Sequence, residues 1–114
     1  MTDNKKTGYM YEDIAAHFLQ ELGYKILYRN YRCKIGEIDI IAEDMNTLVF
    51  CEVKFRSSLK YGFPEEAVDI RKQNKIRSCT RFFLMEHKIS PDTNIRFDVI
   101  SVLGTKITHI KDAF

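Results

Sequence analysis

Residues 36–54, GEIDIIAEDMNTLVFCEVK, place charged side chains inside two short apolar runs, and no other stretch constrains the chain as tightly. Both runs are rich in β-branched and aromatic residues, and the polar step at Met45 and Asn46 between them predicts a hairpin. Side chains on a strand alternate faces, so Glu37, Asp39 and Ile41 are expected on one face of the first strand. On the second strand Phe50, Glu52, Lys54 and Arg56 share a face, and Val49, Cys51, Val53 and Phe55 point the other way. A turn at Met45 and Asn46 pairs Ala42 with Val49 and sets Asp39 opposite Glu52. Opposed residues in an antiparallel pair have Cβ atoms about 4.5–5.5 Å apart, where like charges repel. A divalent cation between the two carboxylates removes that conflict.

These residue types suit one chemistry. Mg²⁺ takes oxygen ligands, keeps several waters and needs only one or two carboxylates plus a substrate phosphate. Asp39 and Glu52 are the candidate ligands, with a main-chain carbonyl near Val53 as a further oxygen. Lys54, on the same face as Glu52, is placed to orient an attacking water or offset charge on a phosphate. The structural alternative is a cross-strand ion pair between Lys54 and Glu37, worth about 0.2–1 kcal/mol. Glu12 stands three residues before Ala15 and seven before Leu19, on or beside the buried stripe of a first helix. From spacing alone its preferred role is a favourable charge in a helix first turn.

The rest of the chain reads as one α/β domain over residues 1–114. Apolar spacing predicts a helix from about Thr7 to Leu22, with Ile14, Ala15, Phe18, Leu19 and Leu22 facing inward and Gly23 ending it. A strand over Lys25–Tyr31 precedes the hairpin. A loop from Ser57 to Pro64 leads into a helix over roughly Glu66–His87, with a break near Asp69. A strand over Arg96–Leu103, a turn at Gly104 and a short strand over Lys106–Ile110 complete the order α-β-β-β-α-β-β. That order implies a mixed sheet flanked by helices.

Net charge is only +2, so the overall balance selects no partner, but its distribution does. Arg71, Lys72, Lys75, Arg77 and Arg81 form a run without an acid. Its usual meaning is a solvated helix face. Lys72 and Lys75, three apart, present one positive ridge that suits a phosphate backbone, and Gln73 adds a hydrogen-bonding group. Ile76, Cys79, Phe83 and Leu84 are expected to face the core. Asp98 is a further acid inside a strand, with an ion pair and a site role both open.

Cys33, Cys51 and Cys79 are odd in number and lack CxxC spacing, which points to reduced thiols in a cytoplasmic protein and against a zinc site. His17, His87 and His109 are isolated and read as surface or packing residues. No apolar run reaches the ~20 residues that span a bilayer, and the first residues lack a secretory pattern.

The segments GEIDIIA (36–42) and LVFCEVK (48–54) closely resemble the signature of the YraN family of small bacterial proteins. The resemblance extends to Glu12, Gly23-Tyr24, Asn30-Tyr31-Arg32, Lys72-Gln73, residues 96–99 and the closing residues 109–114. Cys51 departs from the usual β-branched residue on the face turned away from the site. The family is similar to the restriction-endonuclease-like PD-(D/E)xK superfamily, with a layout like that of Holliday-junction resolvases. The resemblance implies a Mg²⁺- or Mn²⁺-dependent endonuclease acting on DNA, including branched structures. It maps Asp39 and Glu52 onto the metal ligands, Lys54 onto the motif lysine and Glu12 onto the helix glutamate of the metal shell. Lys72 or Gln73 corresponds to the polar helix position beside the motif, and Lys72, Gln73, Lys75 and Arg77 become the nucleic-acid contacts. Nucleic acid is the partner so implied, with a homodimer as an option and no membrane. The alternative function is a non-catalytic nucleic-acid-binding or interaction module on the same fold.

Overall fold

The computed structural model describes residues 4–56 and 68–114. The elements run α1 (Asn4–Glu21), β1 (Lys25–Cys33), β2 (Gly36–Asp44), β3 (Thr47–Arg56), α2 (Ile70–Glu86), β4 (Asn94–Leu103) and β5 (Lys106–Ile110). This is the α/β order expected from the sequence. The loop expected over 57–64 and the helix start expected at Glu66 lie outside the described residues. The strands form one sheet in the order β1-β2-β3-β4-β5, antiparallel except for the parallel β3–β4 pair. Among the described residues no helix is long and apolar enough to cross a membrane.

The hairpin has the predicted register from Asp44 opposite Thr47 through Ala42 opposite Val49 to Ile40 opposite Cys51, across a turn in which Met45 adopts φ 56°. The pairing ends there, and the expected Asp39–Glu52 pair lies beyond it. Its two faces build two cores. Ile40, Ala42, Val49 and Cys51 pack with Ala15, Ala16 and Leu19 of α1, while Ile41, Leu48 and Phe50 pack with Ile76, Cys79 and Phe83 of α2. The inward stripe of α1 is thus shorter than its apolar spacing suggests, because Leu22 lies past the helix end and is exposed. Gly23 makes the expected turn at φ 93°, a left-handed conformation that an L side chain adopts only with strain.

α2 begins at Asp69, whose carboxylate accepts the Lys72 backbone N–H at 2.9 Å, so the expected break is the helix N-cap. Thr80 is buried on the core face and its hydroxyl donates to the Ile76 carbonyl at 2.8 Å, which hides its polarity. The expectation of three reduced thiols is overturned. Cys33 at the end of β1 and Cys79 on α2 are joined as a disulfide with Cα atoms 6.0 Å apart, and Cys51 is the free, buried cysteine. The partners are 46 residues apart in sequence, and only the packing of α2 across the sheet brings them together.

Candidate active site

The regular alternation of β2 fails at Asp39. Ile38 and Ile41 pack in the same α2-side cluster although they are three residues apart, while Ile40 joins the α1 side. In the neighbouring β1, Asn30 takes a left-handed φ of 55°, between the pairs Arg29↔Ile40 and Tyr31↔Ile38. The β2–β3 pairing runs from the turn to Ile40↔Cys51, whereas β3–β4 pairing continues to Arg56↔Leu103. β3 therefore stays anchored to β4 where it leaves β2. At that fork the Val53 N–H donates to Asp39 Oδ2 at 2.8 Å. The Val53 amide thus fixes the orientation of the Asp39 carboxylate.

The fork opens into a cleft of about 370 Å³ lined by Tyr11, Glu12, Asp39, Glu52, Val53, Lys54, Phe55 and Lys72. Asp39 and Glu52 are 8% and 4% exposed, which is rare for carboxylates. Burial, reinforced by the negative charge of Glu52, pushes the Asp39 carboxyl up to about 8. Lys72 Nζ lies 2.8 Å from Glu52 Oε1, and Lys54 Nζ lies 3.8 Å from the same oxygen. Burial opposes the charge on Lys72, but the hydrogen bond to Glu52 and the surrounding acids outweigh it and raise the lysine above its ordinary value. Glu12 reaches the cleft from α1. Its Oε1 is buried and has no hydrogen-bond partner among the described residues, and burial raises its carboxyl despite a hydrogen bond with Asn30.

All four residues proposed for the chemistry, Glu12, Asp39, Glu52 and Lys54, thus line one cleft. Lys54 does not pair with Glu37, which meets Arg32 at 3.3 Å instead. Among the described residues no three His, Cys, Asp or Glu side chains form a ready metal-binding group. The donors that are present still fit a hard cation: two buried carboxylates in an open cleft, one holding its proton to near neutrality, and a third with an orphaned oxygen. One or two carboxylates completed by water and phosphate are enough for Mg²⁺.

The four residues read as nucleic-acid contacts are scattered. Lys72 belongs to the cleft, half-buried against Glu52. Gln73 donates through Nε2 to the Val68 carbonyl at 3.1 Å and closes the start of α2. Arg77 lays its guanidinium over the rings of Phe97 and Phe114, 5.0 and 5.4 Å from their centroids. Only Lys75 is exposed as expected; with Arg71, Asn74, Ser78 and Ile35 it borders a separate shallow depression. The single ridge of Lys72 and Lys75 is therefore split, because Lys72 reaches Glu52 while Lys75, among the described residues, meets no carboxylate.

Asp98 is resolved as an ion-paired hub. It is 0% exposed and accepts from Arg96 Nε at 2.9 Å, Arg96 Nη2 at 3.0 Å and the Asp112 N–H at 3.0 Å, with His109 Nε2 at 2.7 Å. Burial works against its charge, yet the bonds from His109, Arg96 and Asp112 hold the carboxyl below its ordinary value. Arg96 also reaches Tyr24 and Asp44, so the network ties β4, β2 and the turn after α1 to the C-terminal tail. Phe114 completes the clasp by stacking on Phe97 at 5.1 Å. His109 is thus a hydrogen-bonded packing residue. Asn30, Tyr11 and Phe55 are site residues that periodicity did not single out; the bracketing of Asn30 by resemblance was the available signal.

Residues 11–102 match the family model described as "Uncharacterised protein family UPF0102". A protein of Lachnoclostridium phytofermentans is 47% identical over 97% of this chain and 95% of its own length. One from Syntrophus aciditrophicus is 49% identical over 100% and 92%. A third, from Clostridium botulinum strain Loch Maree, is 50% identical over 97% and 95%. Each is named as a UPF0102 protein.

Proposed function

The chain belongs to the uncharacterised protein family UPF0102, and from that premise we propose that it is a metal-dependent nuclease of the PD-(D/E)xK type that hydrolyses DNA phosphodiester bonds. The observation that carries this reading is the buried Asp39–Glu52 pair at the open end of a strand fork, flanked by Lys54 and Lys72. Such a pair is a liability for stability, and its place in a solvent-reached cleft, with the Asp39 carboxyl raised by burial, is what a functional site looks like. Asp39 and Glu52, with the free oxygen of Glu12, would hold Mg²⁺ or Mn²⁺, which when bound supplies Lewis-acid chemistry at a phosphodiester. The Val53 amide fixes the orientation of Asp39. Lys54 would position the attacking water, and Lys72, released from Glu52, would offset negative charge on the phosphate. Asn30 steadies Glu12 from β1.

Purified protein incubated with Mn²⁺ and supercoiled, single-stranded or four-way-junction DNA tests the proposal. Cleavage that disappears in Asp39→Ala and Glu52→Ala supports it, and cleavage that persists in both variants belongs to a contaminant and removes it. A second reading, a nucleic-acid-binding module without catalysis, draws support from the direct Lys72–Glu52 contact, in which a lysine already satisfies one of the acids. Calorimetry with Mn²⁺ separates the two. Uptake that is lost in Asp39→Asn favours the nuclease, and no uptake favours the module.

A further inference from the structure

Two aromatic side chains flank the acids and lysines of the cleft in sequence and in space. Tyr11 immediately precedes Glu12 on α1, and Phe55 immediately follows Lys54 on β3. Their rings lie parallel, with centroids 4.4 Å apart and planes within 2° of each other. Both line the same cleft as Asp39, Glu52 and Lys72. Phe55 is 50% exposed, whereas Phe50, Phe83 and Phe97 are buried in the α2-side core. A half-open phenylalanine held flat by a tyrosine contributes less to the core than one turned inward. At the rim of a phosphate-handling cleft it offers a face to a third flat ring.

A nucleic acid is the ligand in which a planar ring accompanies every phosphodiester, and every base has a π-face that stacks without regard to sequence. In continuous duplex those faces are already stacked, and presenting one costs unpairing. We propose that Tyr11 and Phe55 form a stacking platform for an unpaired nucleobase beside the phosphodiester in the cleft. The preferred substrate is then a strand with unpaired bases, free or at a flap or branch, rather than continuous duplex. This rests on the nuclease reading and narrows its substrate.

Titration of a single-stranded oligodeoxynucleotide carrying one 2-aminopurine, in Ca²⁺, reads stacking directly as fluorescence quenching. The intact protein quenches the probe on binding. Phe55→Ala loses the quenching and binds the single strand about 5- to 150-fold more weakly, the equivalent of one base–aromatic stack. Phe55→Leu keeps an apolar cover without a flat ring and fails in the same way, while Phe55→Trp restores both signals; thermal melts of all three report that the fold is intact. Blunt duplex binding changes little across the series. Single-strand binding and quenching unchanged in Phe55→Ala and Tyr11→Ala overturn the platform, and Mn²⁺-dependent cleavage by the same variants would leave the nuclease reading in place. Equal losses on duplex and single strand overturn it too. A protein that binds none of these DNAs removes the platform together with the reading beneath it.

Discussion

Replacing Asp39 by asparagine should stabilise the metal-free protein at neutral and alkaline pH, contrary to the usual effect of a core substitution. The Asp39 carboxyl is raised from 3.8 to about 8, first by burial and then by Glu52. In the folded protein it holds its proton over a range in which the unfolded chain has lost it, so folding stability falls as pH rises from about 4 to about 8. About four units at ~1.36 kcal/mol each make roughly 5–6 kcal/mol over the full window. The proton is shared with Glu52 and the cleft admits water, so we expect about half of this, ~2–3 kcal/mol, to appear at pH 8. Asparagine keeps a carbonyl oxygen for the Val53 N–H, and it cannot ionise.

Urea unfolding at pH 4, 6 and 8 in the presence of EDTA measures this. The two proteins should be nearly equal at pH 4, and the variant should become progressively more stable towards pH 8. Adding Mn²⁺ should then close the gap at about a hundred times its Kd, where the protein that binds it gains ~2.7 kcal/mol, and reverse the order at about a thousand times, where it gains ~4.1 kcal/mol. An asparagine variant no more stable than the parent at pH 8, or parallel pH dependences, would show that Asp39 is charged and satisfied in the folded protein. The case for a cation at the fork would then fail.

Other outcomes follow from particular contacts. Arg96→Ala strips Asp98 of its main partner and should cost ~3–5 kcal/mol in urea unfolding, the range for a broken buried pair. Because the Asp98 carboxyl is held below its ordinary 3.8, its contribution is present above about pH 4 and lost as pH falls below that value, so the parent's acid limb should be steeper than that of Asp98→Asn. Reducing the Cys33–Cys79 link reopens a loop of 46 residues, which the chain-entropy model values at ~4 kcal/mol; an unchanged urea midpoint in dithiothreitol would deny it a stabilising role. Arg71→Ala with Lys75→Ala should flatten the log–log salt dependence of DNA binding by up to about two units, at ~0.9 per phosphate contact on duplex. Lys72→Ala should instead depress cleavage more than salt-dependent binding, because its ammonium meets Glu52 rather than solvent.

What was legible in the sequence is what local pattern encodes. The hairpin register follows from the turn at Met45 and Asn46 and a period of two, and it brings Asp39 and Glu52 to the same end of the same pair of strands. The spacing of Glu12 to Ala15 and Leu19 puts it beside the buried stripe of α1, but the first-turn role that spacing favoured fails, because α1 starts at Asn4 and Glu12 lies well inside it. What was hidden depends on which element packs against which. A period of two cannot announce that Asn30 turns left-handed and that Ile38 changes sides beside Asp39. Charge runs cannot tell that Lys72 has a carboxylate within reach, that Arg77 lies over aromatic rings, or that Lys75 is exposed. The Cys33–Cys79 link and the Tyr11–Phe55 stack join distant segments that share no local signal.

Two buried strand acids look alike in the sequence, and the fold treats them in opposite ways. Asp98 has Arg96, His109 and the Asp112 amide around it, so its charge is stabilised and its carboxyl drops. It is saturated within the protein and has no capacity left for a ligand, which makes it a rivet for the C-terminal tail. Asp39 is buried beside the like charge of Glu52, and the Val53 amide offsets this only in part, so its carboxyl rises in front of an open cleft. A carboxylate left so poorly satisfied destabilises the free protein, and that instability is relieved by whatever positive charge enters the cleft. The lysine that now touches Glu52 relieves it in part. A divalent cation carried in with a phosphodiester would relieve it more fully, and the unspent acceptor capacity of Asp39, Glu52 and Glu12 is the physical basis for assigning the chemistry to this end of the sheet.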